Sequence, residues 1–261
     1  MVKKLNTYFW YFYEYIKHRD FLSLYASANY VLFRKSHAND RIIQTSVGKF
    51  FCRKNTNDFQ FANFRYEWGV KKFILNHIHE YSIFIDGGSC VGIYPILLSK
   101  YNIQSIAFEP VATNYEVLVK NLQLNNLTND IKAFHIGLGD ENKLVRFRLN
   151  PVNTGASHID RENNSDSLST ELRMFDSYLQ ELNVGKEEHI LFKLDVEGME
   201  IEVLKGAAKF IAQYPNITFI LEEKFSGKDH IKSVLNELGS FEYGTIDQYN
   251  MYAKKTLQNK V

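Results

Sequence analysis

This sequence contains little cysteine. It also has no excess of charge of either sign and no long apolar run. Two cysteines, Cys52 and Cys90, are too few for a disulfide framework or a zinc cluster, which favours a reducing cytoplasm. Lys and Arg total 31 against 30 Asp and Glu, a formal net charge of +1. This argues against a nucleic-acid partner, because phosphate binding needs a dense basic face. No run approaches the roughly 20 apolar residues of a transmembrane helix.

The N-terminal segment is rich in aromatic residues. Eight of the nine residues from Tyr8 to Ile16 are aromatic or aliphatic, yet the segment lacks the aliphatic core and cleavage site of a signal peptide. Aromatic rings with basic flanks suit a bilayer surface, so peripheral membrane contact is one alternative. We favour packing on the chain's own domain or on a second copy in a homo-oligomer, because a helix that is apolar nearly all round must be covered.

Strand-like and helix-like segments alternate through most of the chain after residue 81. Apolar strands fall at 82–86, 104–108, 131–136, 190–195 and 217–221. They are separated by predicted helices, which include 175–182 and 199–210. This alternation predicts an α/β fold of the Rossmann-like type, with a parallel sheet covered by helices on both faces. Two further strands, near 241–246 and 251–254, must add at least one antiparallel strand.

The chain before residue 66 has a different pattern. Residues 1–40 are predicted to be helical, and short alternating runs over 41–63, including 59–61, predict β-hairpins. We therefore divide the chain into an N-terminal extension, 1–65, and a Rossmann-like domain, 66–261. Within the domain, 143–149 is predicted as an extra strand and the Asn- and Ser-rich stretch 150–169 as a loop.

A glycine-rich turn follows the first strand of the domain. The strand ends at Asp86, and the turn runs through Gly88 to Gly92, where a helix begins. Ligands of open α/β sheets bind at the carboxyl ends of the strands, where such a turn lets them approach the backbone. Ser89 stands where the dinucleotide fingerprint G-x-G-x-x-G has its second glycine. That glycine admits a pyrophosphate, so its loss argues against a dinucleotide but leaves room for S-adenosylmethionine, which has no phosphate.

Two further side chains are candidates for contact with a nucleoside. Glu109 ends the second strand, where a carboxylate can accept hydrogen bonds from both hydroxyls of an adenosine ribose. Enzymes that use NAD place an acid at the same point, so Glu109 indicates a nucleoside without specifying which one. His135, at the end of the third strand, is a candidate for the edge of the adenine ring.

Three ionisable residues alternate at the end of the strand 190–195 and just after it, namely Lys193, Asp195 and Glu197. Such groups are costly to bury unless they are paired or used. Their position in the sheet puts the two acids beside the reactive end of a nucleoside cofactor. We take Asp195 as the first candidate for a general base and Glu197 as the second, with an ion-pair network as the structural alternative. Magnesium held by Asp195 and Glu222 is a minor variant, and we assign no metal ligand.

Three segments of the chain resemble the hallmark segments of FkbM-type methyltransferases. They are Phe84 to Gly92, Phe108-Glu109-Pro110, and Phe192 to Glu200, of which the third is the most family-specific. The resemblance spans roughly residue 66 to the C-terminus. It implies a seven-stranded sheet with a reversed strand near the C-terminus and S-adenosylmethionine as the cofactor. It also implies O-methylation of a small-molecule or glycan acceptor, a saccharide or related natural product.

Two alternatives from other functional classes are weaker. A dinucleotide-dependent oxidoreductase is disfavoured by Ser89 and by the lack of a recognisable Tyr-x-x-x-Lys pair. A non-catalytic scaffold that binds a partner or membrane through its N-terminus is disfavoured by the intact set Asp86, Gly88, Gly92 and Glu109, which such a protein does not need.

Overall fold

The first part of the chain consists of helices and a hairpin. The computed structural model describes residues 2–33, 36–160 and 168–256. Its elements before the central sheet are α1 (Val2–Lys17), α2 (Phe21–Phe33), β1 (Arg41–Gln44), β2 (Lys49–Cys52), α3 (Asp58–Phe61) and α4 (Trp68–Asn76).

The rest of the chain alternates strands and helices. The first half comprises β3 (Ile83–Gly87), α5 (Ile93–Leu98), β4 (Gln104–Phe108), α6 (Ala112–Leu124), β5 (Ile131–Phe134), β6 (Gly137–Gly139), β7 (Lys143–Arg148), β8 (His158–Ile159) and β9 (Leu168–Met174). The second half comprises α7 (Leu179–Leu182), β10 (Ile190–Leu194), α8 (Glu200–Gly206), α9 (Ala208–Gln213), β11 (Ile217–Glu222), α10 (Lys228–Leu238), β12 (Phe241–Thr245) and β13 (Asn250–Lys255).

Seven strands form the central sheet in the order β12-β13-β11-β10-β3-β4-β5. All neighbouring pairs are parallel except those of β13, which runs antiparallel to both β11 and β12. The predicted mostly parallel sheet with an antiparallel strand near the C-terminus is therefore confirmed. Strand order reverses between β3 and β10, and open α/β sheets bind their ligands at this kind of switch point. Every residue of both strands is buried, which explains their nearly continuous apolar sequence.

A second, four-stranded sheet of order β6-β9-β7-β8 lies beside the central one. Strand β7 matches the extra strand predicted at 143–149, but β6 and β9 were not predicted from the sequence. The predicted loop at 150–169 was too long, because β8 lies within it and β9 begins at Leu168; residues 161–167 of that loop lie outside the described residues. Polar strands such as β9 lack the apolar run that identifies a buried strand.

Three other local predictions differ from the structure. Residues 59–61, predicted as part of a hairpin, lie in the one-turn helix α3, because an alternating triplet is too short to separate the two periodicities. The helix predicted at 199–210 is broken into α8 and α9 at Ala207. The helix predicted at 175–182 begins with a 3-10 turn, Phe175–Tyr178, before α7. The hairpin predicted after residue 41 is present as β1 and β2.

One face of α1 packs against the rest of the protein. Tyr15 is 2% exposed, and its hydroxyl donates a hydrogen bond to the Phe59 carbonyl at 3.2 Å. It belongs to a hydrophobic cluster that also contains Phe50 and, from beyond residue 65, Ile96 and Leu118. The division after residue 65 stays a prediction, since residues on both sides of it share this cluster. Within the described ranges, no helix is long and apolar enough to cross a membrane.

Candidate active site

Three adjoining hollows open at the carboxyl ends of the central strands. The inner cavity, with an empty volume of about 540 Å³, is lined by residues that include Glu109, Ile136 and Leu138. The polar cavity, of about 830 Å³, is lined by residues that include Asp86, Tyr94, Lys193 and Glu222. The outer groove is lined by residues that include Arg148, His158, Lys224 and Phe225. Glu197 lines all three hollows, so this residue lies where they meet.

The glycine turn is built around two positions that need glycine. Gly88 has φ +87°, and a Cβ atom there would lie 2.0 Å from the carbonyl oxygen of Asp195. Gly92 has φ +85°, and a Cβ atom there would lie 2.4 Å from Leu118 Cδ1. Residues with a side chain rarely adopt this left-handed backbone conformation. The contact at Gly88 is with a backbone carbonyl oxygen, which cannot rotate away as a side chain could. Gly88 therefore lines both cavities at close range, whereas Gly92 starts α5 without lining them.

Asp86 is a buried carboxylate at the wall of the polar cavity. Its side chain is 1% exposed, and neither carboxylate oxygen has a hydrogen-bond partner among the described residues. Burial raises the pKa of Asp86 to about 6, although the nearby Lys193 opposes that shift. Buried polar atoms are nearly always hydrogen-bonded, so two unpartnered oxygens at a cavity wall fit a cationic ligand such as an ammonium group.

Glu109 joins the glycine turn to the start of α6. Its carboxylate accepts hydrogen bonds from the backbone N–H of Cys90 at 2.8 Å and of Val111 at 2.9 Å, and from the amide of Asn114 at 3.4 Å. Burial raises its pKa to about 7, against these hydrogen bonds. Two carboxylate oxygens offer about four acceptor positions, and three are occupied, so one position remains for a hydroxyl donor in the inner cavity.

Lys193 and Asp195 form an ion pair, with 2.8 Å between Nζ and Oδ2. Burial alone would lower the pKa of Lys193, but the carboxylates of Asp195, Glu67 and Asp86 outweigh it and hold that pKa above its usual value. The ion pair raised as the structural alternative is thus present. Asp195 nevertheless lines both cavities, so it is available to a ligand as well as to Lys193.

Glu197 occupies a strained turn that Glu200 holds in place. Its backbone has φ +51°, in the left-handed region that a residue with a side chain rarely adopts. The buried carboxylate of Glu200 accepts hydrogen bonds from the N–H groups of Val196 at 3.2 Å and Gly198 at 3.4 Å. Burial, followed by the charge of Asp195, raises the pKa of Glu197 to about 7. Such a carboxyl group exchanges protons near neutral pH.

Comparison with known proteins identifies the family of this chain. A family model described as the methyltransferase FkbM domain matches residues 88–249, more than half of the chain. The chain belongs to the FkbM methyltransferase family. Its cofactor is accordingly S-adenosylmethionine. The oxidoreductase alternative is set aside by this match.

Individual relatives of this FkbM family member are distant. Methyltransferase sdnD of Sordaria araneosa is 27% identical over 152 residues, which are 47% of this chain and 59% of that protein. Hexuronic acid methyltransferase AglP of Haloferax volcanii is 24% identical over 172 residues, 66% of this chain and 67% of that protein. The chain thus spans about three fifths of the length of the first relative.

Solved structures share less sequence with this chain. A methyltransferase FkbM from Methylobacillus flagellatus covers 67% of this chain and 44% of its own at 15% identity, with a TM-score of 0.46. A methyltransferase from Agrobacterium tumefaciens that depends on S-adenosylmethionine covers 85% and 72% at 7% identity, with a TM-score of 0.49. Both structures are too distant to establish the fold, which rests on the strand order of the central sheet.

The structure adds three residues to this FkbM site that were not among the predicted site residues. Glu67 has φ +49° and accepts a hydrogen bond from the Tyr94 hydroxyl at 2.6 Å. Glu222 has one buried oxygen without a partner among the described residues, and burial, followed by the charge of Asp195, raises its pKa to about 8. All three line the polar cavity. The sequence indicated Glu222 only as part of a minor magnesium variant, and it gave no sign of Tyr94, since a tyrosine in an apolar helix resembles a core residue.

Two of the predicted site residues line none of the three hollows: Gly92, which starts α5, and His135. His135 is exposed, and its ring stacks on Tyr115 with 5.0 Å between the centroids. In the part of the chain that the structure describes, no group of three or more His, Cys, Asp and Glu side chains is arranged to hold a metal ion.

Proposed function

We propose that this protein transfers the methyl group of S-adenosylmethionine to a hydroxyl of a saccharide or related natural product, with Glu197 as the general base. The observation that carries the proposal is the position of Glu197 where the three hollows meet, with a pKa raised to about 7. A general base works best when its pKa lies near the working pH, because it is then both deprotonated and basic.

The residues of the two cavities suit the parts of the cofactor. Asp86 would hold the ammonium of the methionine moiety, and Glu109 would accept a hydrogen bond from a ribose hydroxyl with its remaining acceptor position. Gly88 would let the backbone approach the ligand closely, because a side chain there would collide with Asp195. When bound, the cofactor supplies an electrophilic methyl group on a positively charged sulfur. The protein's task is then to align the acceptor and remove its proton.

The geometry favours Glu197 over Asp195 as the general base, which reverses the order that we inferred from the sequence. Asp195, our first candidate from sequence, already accepts a hydrogen bond from Lys193 at 2.8 Å. Glu197 makes no such ion pair among the described residues and borders the groove through which an acceptor would enter. We therefore assign proton removal to Glu197 and orientation of the acceptor hydroxyl to Asp195.

The outer groove supports a saccharide as the acceptor. The ring of Phe225 is 57% exposed there, and sugar rings bury their apolar C–H faces well against exposed aromatic rings. Arg148 and Lys224 add donors for hydroxyl or carboxylate groups of the acceptor. The relative named as a hexuronic acid methyltransferase supports the same class of acceptor.

The test combines an acceptor screen with a pH profile. The protein is incubated with S-adenosylmethionine and a panel of neutral saccharides, hexuronic acids and non-sugar hydroxyl compounds, and mass spectrometry detects products heavier by one methylene. Turnover should rise with pH through about 7, as Glu197 loses its proton. Glu197→Gln should lower turnover about a hundredfold or more and remove this dependence, with cofactor affinity unchanged within a few-fold.

The control is Glu242→Gln, since Glu242 is exposed on β12, and it should behave as the unaltered protein does. Full turnover by Glu197→Gln would reject this residue as the base. Methylation of non-sugar hydroxyl compounds alone would reject the saccharide.

A further inference from the structure

Helices α1 and α2 present an exposed apolar face on the side away from the domain. Nine large hydrophobic side chains of these two helices are 40% to 71% exposed: Phe9, Trp10, Tyr13 and Ile16 of α1, and Phe21, Leu22, Tyr25, Leu32 and Phe33 of α2. The two helices contact each other. We call these nine residues the apolar face. A patch of this kind marks an interaction surface, because scattered hydrophobic residues do not concentrate on two adjacent helices.

The two acidic residues of this region contact the rest of the protein and do not belong to the apolar face. Glu14 is 5% exposed and accepts hydrogen bonds from the backbone N–H of Ser46 at 2.7 Å and from its hydroxyl at 3.1 Å. Asp20 pairs with Arg41 at 2.7 Å. No other Asp or Glu occurs among residues 1–33. Asp20 is therefore neutralised by Arg41, and the carboxylate of Glu14 is buried against Ser46, so neither acid is exposed on the outward side.

Two basic residues are exposed where α1 and α2 meet. They are Arg19 and Lys17, whose ammonium group also donates a hydrogen bond to Ser46 Oγ at 2.8 Å, and the sequence of α1 further includes Lys3 and Lys4. Helix α2 contains no charged residue at all. The region thus combines apolar and aromatic side chains with positive charge, and its only acids are the two already paired.

We propose that the apolar face binds the surface of a lipid bilayer that contains anionic headgroups. Trp10, Tyr13 and Tyr25 suit such a surface, because their rings have an apolar body and a polar atom that stays hydrated. The exposed bases complement anionic lipid. Neither helix can cross the bilayer, so the contact is peripheral.

A second copy of the chain fits this face less well. A symmetric dimer through it would bring the same patch of each copy together, and with it two sets of Lys17 and Arg19. The two acids of the region are already engaged, so neither is free to pair with these bases. An anionic bilayer neutralises the bases and covers the aromatic rings at once.

The experiment is vesicle flotation of the full chain. One set of vesicles contains phosphatidylcholine alone, and the other contains phosphatidylcholine with phosphatidylserine. We expect binding to the anionic vesicles to be about tenfold stronger or more, falling as salt is raised. The double variant Phe9→Glu, Phe21→Glu replaces two side chains that are 62% and 61% exposed, so its fold should be unaffected. It should bind at least about tenfold more weakly, since two inserted rings are lost.

The matched control is Leu144→Glu, because Leu144 is 76% exposed on β7, away from α1 and α2. It should float as the unaltered chain does. A second readout uses Trp68→Phe, which leaves Trp10 as the sole tryptophan; its emission should shift to the blue on anionic vesicles.

Three results would overturn the proposal: no flotation with anionic vesicles, equal loss in the control, or a dimer that the double variant dissociates in the absence of lipid binding. Calorimetric titration with S-adenosylmethionine, expected to be unchanged in the double variant, separates this proposal from that of the active site.

Discussion

Asp86→Asn should change stability and cofactor affinity in opposite directions. The pKa of Asp86 rises from 3.8 to about 6 because the side chain is buried. Each pH unit of this difference is worth about 1.4 kcal/mol. The ionised carboxylate therefore destabilises the cofactor-free protein by about 3 kcal/mol above pH 7. The direction follows from proton binding: the folded state holds this proton more tightly, so stability falls as pH rises through about 6.

Asparagine removes the charge but keeps a buried polar group that also lacks partners. We therefore expect a net gain of about 1–2 kcal/mol in the free energy of unfolding at pH 8, and much less at pH 5, where Asp86 is protonated. Affinity for S-adenosylmethionine at pH 8 should fall about 10- to 150-fold, since the variant cannot pair with an ammonium group.

Denaturant unfolding at pH 5 and pH 8 measures the first effect, and calorimetric titration measures the second. The matched control is Asp58→Asn, another aspartate that is 1% exposed. Asp58 is fully engaged, with Arg53 Nε at 2.8 Å and the Thr154 hydroxyl at 2.9 Å. Its replacement should destabilise the protein by about 3 kcal/mol. The reasoning fails if Asp86→Asn also destabilises the cofactor-free protein at pH 8, or if it binds cofactor with unchanged affinity.

Two further substitutions test the walls of the inner cavity. Glu109→Ala should weaken cofactor binding by about 1.5–3 kcal/mol in calorimetric titration, since it removes charge-assisted hydrogen bonds; unchanged affinity would rule out its contact with ribose. Gly88→Ala should abolish cofactor binding and lower the melting temperature, because its Cβ would lie 2.0 Å from the Asp195 carbonyl oxygen. Its control is Gly227→Ala, with φ +76° and nothing within 4 Å of the Cβ, which should cost only about 1 kcal/mol. Equal effects of the two glycine substitutions would show that the close approach at Gly88 is unimportant.

The sequence determined the central sheet and the edge at which its strand-end acids lie. Apolar runs ending in Asp86, Glu109 and Asp195 predicted parallel strands, and the carboxyl ends of parallel strands lie on one edge of a sheet. The glycine turn was also visible, because only glycine fits where backbone approaches backbone. These inferences needed only local periodicity and the topology that it imposes.

Only the tertiary structure showed which of these side chains pair with one another and which line a cavity. The pairing of Lys193 with Asp195, and with it the order of Asp195 and Glu197 as candidate bases, depends on side-chain distances that periodicity does not specify. Glu67 joined the polar cavity from outside the central sheet, through a hydrogen bond to Tyr94 on α5. His135 could not be placed from sequence, because the last residue of a strand faces solvent or cavity according to its neighbours.

For the N-terminal helices, too, the sequence determined one property and the tertiary structure another. Their composition predicted that the aromatic residues must be covered, because an apolar helix is unstable in water. Which face the protein itself covers was decided by packing: Tyr15 turns inward onto Phe59, whereas Phe9 and Phe21 remain outside. A helix that is apolar nearly all round has no polar stripe to orient it. Its direction is therefore fixed by the surface of the domain and not by its own sequence.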